Sequence, residues 1–282
     1  MVEPYQYNTG VIVLSDTHIN STTAVCVPTI NLDDGGTYRA SRFQRALWDD
    51  FLAFRDEAAK LTDGLKRLLV LNGDIGELDT KRRSTQLITT NKATISRITI
   101  DTLEPFLEIA DAVLIVRGTM AHSGKASWLE EAIAKDIDIS IPERNTGAAS
   151  HYHFHDNVGG QKFDIAHHGR MGGVPWTEKH AGVRLAAETF WNYSKNGRPL
   201  PDIIIRSHNH RRSDSGRNFP FLAMFTPAWQ GITEFGYRIG KENSLSDIGG
   251  DVFLCGPKGH EWIPIDYKPH TAGRQFWQAL QI

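Results

Sequence analysis

Cysteine is scarce in this 282-residue chain. It has two, Cys26 and Cys255, far apart and without C-x-x-C spacing. They read as free thiols of a reducing compartment rather than as a disulfide. Charge of one sign is also lacking: the formal net charge is −2. The molecule as a whole therefore offers no electrostatic case for nucleic acid or a membrane surface, although local patches stay open. No apolar run approaches the ~20 residues that a membrane span needs. The opening "MVEPYQYNTG" lacks the basic segment and apolar stretch of a secretion signal. A soluble, cytoplasmic protein is expected. There is no internal repeat, no low-complexity tract and no Pro/Gly/Ser linker, so one domain over residues 1–282 is expected.

What is present is a series of short apolar runs that end in polar motifs. "GVIVLSD" (residues 10–16), "RLLVLNGD" (67–74) and "AVLIVRGT" (112–119) read as buried parallel strands. Between them, residues 41–61 place Phe43, Leu47, Phe51, Phe54 and Leu61 at helical spacing. Residues 94–110 also read as helical, with Pro105 starting a new turn or a kink. Residues 126–137 read as a further helix. In the second half, "QKFDIAHHG" and "PDIIIRSHNH" are strands ending in histidines, and residues 176–197 are helical. After Phe219, "FPFLAMFTP", "GDVFLCG" and "HEWIPIDY" read as a meander of strands. A βαβαβ half followed by a β-rich half suggests two stacked sheets with helices outside.

The strand ends carry the chemistry. "SDTH" offers Asp16 and His18, "NGD" offers Asp74, "AHHG" offers His167 and His168, and "SHNH" offers His208 and His210. In open α/β sheets strand ends converge on one rim, where ligands bind. A D-x-H or H-x-H step puts both side chains on one face of an extended segment. Singly, each of these pairs is an ordinary turn or strand end. Together, each after an apolar run, they predict a metal site. Carboxylate and imidazole donors suit Mn, Fe, Zn, Co or Ni. The ligands suffice for two divalent ions if one carboxylate bridges, and Asp74 is the natural bridge. His167 and His168 point to opposite faces of a strand, so one of them should reach the metal.

The order D-x-H, G-D, a G-N-H-like segment, H, then G-H-x-H resembles the calcineurin-like metallophosphoesterases. It runs here from Asp16 to His210. The resemblance implies a four-layer α/β/β/α sandwich whose second sheet takes in the β-rich tail. It implies two divalent ions, with Mn²⁺ the leading expectation. Asp16, His18, Asp74 and His210 would hold one ion. Asp74, His208 and a histidine of "AHHG" would hold the other, and family members reading His-His-Pro favour His167, with His168 the alternative. Two motifs depart from the family. Ser207 stands where the family has glycine. In "RGTMAHSG" the Asn-His pair after Gly118 is missing. Thr119 could ligate through its hydroxyl, or water could fill that place. His122 is then the candidate general acid, beside the alternative that it caps the following helix. Such variants, with the compact size, look like phage and prophage members of the family.

Other features are less specific. "HYHFH" places His151, His153 and His155 on one face of a strand and Tyr152 and Phe154 on the other. That reads as a solvent face backed by core aromatics, with a further metal face as the alternative. Trp176 and Trp229 follow Pro-containing loops and could flank a substrate. Arg170, Arg211, Arg212, Lys81, Arg82 and Arg83 follow the metal motifs, and Arg forks suit phosphate oxygens. The reading is a phosphoesterase that cleaves a phosphomonoester or phosphodiester of a small, nucleotide-type substrate. Catalysis would use hydroxide activated by two ions ~3.5–4 Å apart. A nuclease of the same chemistry needs a long basic or aromatic track, which the near-neutral charge argues against. A non-catalytic, metal-stabilised binding module is the reading from another class. Oligomeric state is not legible.

Overall fold

Every apolar run that ends in a metal-type motif forms a strand. The computed structural model describes residues 6–80, 86–169, 175–238 and 246–269. The first half contains β1 (Thr9–Leu14), β2 (Thr29–Asn31), β3 (Thr37–Arg39), α1 (Arg42–Leu61), β4 (Lys66–Asn72), α2 (Lys92–Leu107) and β5 (Ala112–Val116). Then follow α3 (Met120–Ser123), α4 (Trp128–Asp136), β6 (Phe154–Val158), β7 (Gln161–Ile165) and α5 (Ala181–Lys195). The chain continues with β8 (Ile203–Arg206), β9 (Ser213–Asp214), β10 (Leu222–Phe225), α6 (Glu234–Arg238), β11 (Ile248–Gly256) and β12 (Gly259–Tyr267).

Two five-stranded sheets form, in the orders β12-β11-β1-β4-β5 and β6-β7-β8-β10-β9. Strands β1, β4 and β5 are parallel, as are β7, β8 and β10. Side-chain alternation stacks the layers. Val11 and Val13 of β1 face Phe163, Ile165, Ile203 and Ile205 of the other sheet. Ile12 and Leu14 face the opposite way, onto α1, α2 and α4. On the far side, Ala186 of α5 packs on Ile204 and Ala223. The result is the expected four-layer α/β/β/α sandwich.

The helices form for local reasons. Ser41 and Gln44 make a reciprocal capping box at the start of α1. Leu47, Phe51, Phe54 and Ala58 then form its buried stripe. Helix α2 starts earlier than the sequence suggests, because Asn91 caps it by accepting from the Thr94 N–H at 3.0 Å. It also runs through Pro105 to Leu107. Pro105 has no N–H to give the carbonyl four residues back, and the helix ends two residues after it.

Two expectations need correction. The strands after Phe219 are not a meander of the second sheet. Strand β10 pairs parallel with β8, whereas β11 crosses back and pairs antiparallel with β1, carrying β12 outside it. As a central strand β11 is buried almost throughout, which hides the sheet it belongs to. The "HYHFH" alternation also fails before Phe154, where β6 begins. His151 is buried with its Nε2 2.8 Å from the Ile141 carbonyl, and Tyr152 is exposed. Phe154 does reach the core between the sheets.

Phe51 lies at the centre of the outer core, with ring centroids 4.7 Å from Phe106 and 4.8 Å from Trp229. Phe51→Ala is expected to cost about 3–5 kcal/mol, because both aromatics lose a partner and a cavity remains. Urea unfolding of the two proteins measures it.

Candidate metal centre

The strand ends of both sheets meet at one rim. Asp16, Asp74, His167 and His208 offer ligand atoms within 4.8 Å of one another, and so do Asp16, His18 and His210. His18, Glu77 and His122 form a third such group, so Asp16 and His18 each belong to two groups and Asp74 to one. Asp74, the bridge expected from the sequence, lies in the first of these groups beside Asp16.

The two carboxylates are fully buried. Asp16 Oδ2 accepts from Ser15 Oγ at 2.5 Å and from the His208 N–H at 3.1 Å. Its Oδ1 has no close hydrogen-bond partner among the described residues. Around that oxygen stand the Nε2 atoms of His210 at 3.4 Å and of His18 and His167 at 3.9 Å each. Asp74 Oδ2 lies 3.1 Å from His167 Nε2 and 3.7 Å from His208 Nδ1. An orphaned carboxylate oxygen ringed by imidazole nitrogens is costly in a dry site unless a cation joins it. His18 Nε2 and His210 Nε2, 3.2 Å apart, face each other and fit the same conclusion. These buried Asp/His clusters suit divalent metal ions.

Several ring orientations are set from behind, as metal-binding imidazoles require. His18 Nδ1 is 2.9 Å from Glu77 Oε2, and His167 Nδ1 is 2.6 Å from the Asn72 carbonyl. His168 is exposed and stands outside both groups, with its ring 5.2 Å from that of His208. Thr119 lies against Asp74. Its N–H donates to Asp74 Oδ1 at 2.6 Å, and its hydroxyl lies 3.0 Å from the same oxygen. It orients Asp74. His122 does not cap a helix through its side chain; its Nδ1 is 2.7 Å from Glu77 Oε2 and its ring lies edge-on to His18 at 4.5 Å.

The backbone is bent to bring these groups together. Asp16, His18, Asp74, His208 and His210 all have φ between 42° and 72°. Left-handed backbone costs a residue with a Cβ roughly 1–2 kcal/mol. Its repetition at five candidate ligands marks the rim as a place where local stability yields to placement of side chains. Two glycines permit the close approach. A Cβ on Gly73 would meet the His167 ring at 2.5 Å, and one on Gly118 would meet Asp74 Oδ1 at 2.2 Å. Ser207, the departure from the family's glycine, accepts from Asn72 Nδ2 at 2.5 Å and pairs with Thr226 Oγ1 at 2.8 Å. It ties the two sheets at the rim.

Glu77 was missed in the sequence. It is an acid three residues after Asp74, and its buried carboxylate holds both His18 and His122. An acid in the short apolar turn "DIGELD" was the available signal. The basic residues divide. Arg211 is half-buried beside His210, with its guanidinium 3.7 Å from Asp247. Arg212 turns away to Asp251 and to Asp266, the latter at 2.8 Å, so it belongs to the β11–β12 edge and not to a phosphate site. Trp229 is wholly buried against Phe51, so it cannot flank a substrate. Lys81, Arg82, Arg83, Arg170 and the side chain of Trp176 lie outside the described residues.

No family model matches the chain, and no curated protein does. Solved structures of similar shape include Vps29 from Cryptosporidium parvum, 13% identical, covering 93% of this chain and 99% of that one with a TM-score of 0.43. Vps29 complexed with Zn²⁺ from Entamoeba histolytica is 12% identical, covering 91% and 98%, with a TM-score of 0.39. A predicted phosphoesterase from Streptococcus pneumoniae is 9% identical, covering 91% and 97%, with a TM-score of 0.34. Likenesses this distant carry no functional conclusion; the side chains must.

In the metal-free protein, burial pushes the His167 imidazolium down, but the Asp74 and Asp16 carboxylates outweigh it and lift the pKa to about 9. Burial likewise opposes ionisation of Asp16 and Asp74, and the His167 charge outweighs it, holding both well below the carboxylate range. The folded-state value of His167 is raised from 6.5 to about 9. Its stabilisation is therefore fully present below pH 6.5 and lost as pH rises through about 9. The stability difference between EDTA-treated wild type and His167→Gln should shrink across that window. Unfolding in urea at several pH values measures it, and a difference independent of pH would contradict the coupling.

Proposed function

We propose that this chain is a phosphoesterase that works with two divalent metal ions at the rim. The observation that carries the reading is Asp16 Oδ1, buried, without a close hydrogen bond among the described residues and ringed by the nitrogens of His18, His167 and His210. Asp16, His18 and His210 would hold one ion, and Asp16, Asp74, His167 and His208 the other, with Mn²⁺ the first choice and Zn, Fe, Co or Ni the others. When bound, such a pair supplies activation of water and neutralisation of phosphate charge. This protein resembles calcineurin-like metallophosphoesterases in the order of these residues.

The remaining chemistry comes from the chain itself. Asp74 is oriented by Thr119, and His18 by Glu77, so both are aimed before any ligand arrives. His122 supplies the proton for the leaving oxygen. Burial pushes its pKa down, yet the Glu77 carboxylate outweighs this and raises it, which favours the protonated form that an acid needs. With Nδ1 on Glu77, the proton to be given away is on Nε2. A residue poised in this way contributes ~10²–10⁴-fold to rate.

The substrate reading is a small phosphomonoester or phosphodiester of nucleotide type. The net charge of −2 favours it over a long nucleic acid. Arg211 beside His210 is the described candidate for phosphate contact. No described helix is long and apolar enough to cross a membrane. Turnover of a bis(nitrophenyl) phosphate by Mn²⁺-loaded protein tests the activity, and its absence with all metals would favour a binding module. In an active protein, His122→Ala should lose ~10²–10⁴-fold on alkyl phosphates and much less on nitrophenyl esters, which need no proton. Equal losses on both would assign His122 to positioning.

A further inference from the structure

The "HYHFH" segment left two histidines unexplained by the rim. His153 and His155 are exposed on the outer face of the second sheet, the face opposite the core that Phe154 enters. His155 is paired across the β6–β7 ladder with Asp164. Asp164 in turn points outward between Phe163 and Ile165, and its side chain is buried. Both imidazoles converge on it: Nε2 of His153 lies 2.7 Å from Oδ1, and Nε2 of His155 lies 3.3 Å from Oδ2. The two rings are 3.8 Å apart, centroid to centroid.

We propose that His153, His155 and Asp164 form a separate binding site for a single transition-metal ion of the zinc type. Two imidazole nitrogens and one carboxylate oxygen, within 4.8 Å of one another, make a three-ligand set that leaves a position for water. The set is distinct from the rim in ligands and in face. Asp164 Oδ2 also accepts from the Tyr193 hydroxyl at 3.1 Å, so the carboxylate is fixed in place beside the two imidazoles. The two rings also line an open surface cavity of about 730 Å³, so an ion has a path from solvent.

Arg206 limits the affinity. Its guanidinium lies 2.7 Å from Asp164 Oδ1 and partly neutralises the carboxylate that the cation would use. Oδ2 faces His155 and Tyr193 and remains the oxygen for the ion. The same contact holds Asp164 ionised: burial opposes its charge, but His153 and Arg206 outweigh this and keep its pKa below the carboxylate range. The site is accordingly weaker than one built on an unpaired carboxylate. Filled, it would fasten β6 and β7 to the α5 helix through Tyr193.

The test uses the full chain with Co²⁺ and Zn²⁺ as probes. Asp16→Asn with Asp74→Asn silences the rim. That protein should keep one Co²⁺, seen by its visible absorption, and gain thermal stability with added Zn²⁺. Adding His153→Ala and His155→Ala should weaken Co²⁺ binding by roughly 10-fold or more and abolish the thermal shift. The histidines are exposed, so their loss should not unfold the chain. Should the rim variant fail to fold, wild type and the histidine pair variant are compared by elemental analysis, and wild type should carry one more ion. Equal binding with and without the two histidines overturns the proposal.

Discussion

Two buried carboxylates among imidazoles are the constraint that the rest of this structure serves. Asp16 and Asp74 come from adjacent parallel strands, and the histidines facing them come largely from the other sheet. Charge compensation thus has to act across the seam between layers. Asn72 does part of that work, holding Ser207 with its side chain and His167 with its carbonyl. The Asp16 carboxylate does another part, accepting the His208 N–H. The left-handed turns at five candidate ligands follow from the same demand. A strand that simply continued would carry its acid or imidazole past the seam.

The layers explain how such a strained rim can persist. Val11 and Val13 anchor β1 in the core between the sheets, while Ile12 and Leu14 anchor it in the helical core. Each motif begins within two residues of a strand end held in this manner. Burial of one apolar side chain contributes about 1.5–3 kcal/mol, so the two or more that anchor each strand outweigh the roughly 1–2 kcal/mol of one left-handed residue. The strain is therefore local and supported from below. Gly73 and Gly118 serve the same end by letting His167 and Asp74 approach the neighbouring backbone.

Much of the rim was legible because strand and ligand are adjacent in sequence. An apolar run ending in "SDTH" or "SHNH" states both where the chain goes and what it presents. The buried stripe of α1 was legible for the same reason of period. Residues whose role depends on a distant partner were not. Thr119 looked like a replacement ligand, and only its position against Asp74 shows an orienting role. Glu77 had no meaning until His18 and His122 stood on either side of it. Arg212 and Trp229 looked available for substrate, yet β11 and α1 claim them. The return of β11 to β1 left no local mark, because a central strand reads alike in either sheet.

The central claim is that the rim holds two ions that share Asp16. Anomalous diffraction from crystals of the full chain grown with Mn²⁺ tests it most directly. The account predicts two peaks ~3.5–4 Å apart. One should lie among Asp16, His18 and His210, and the other among Asp16, Asp74, His167 and His208. No anomalous density at this rim under saturating Mn²⁺, with the side chains placed as described, would contradict it.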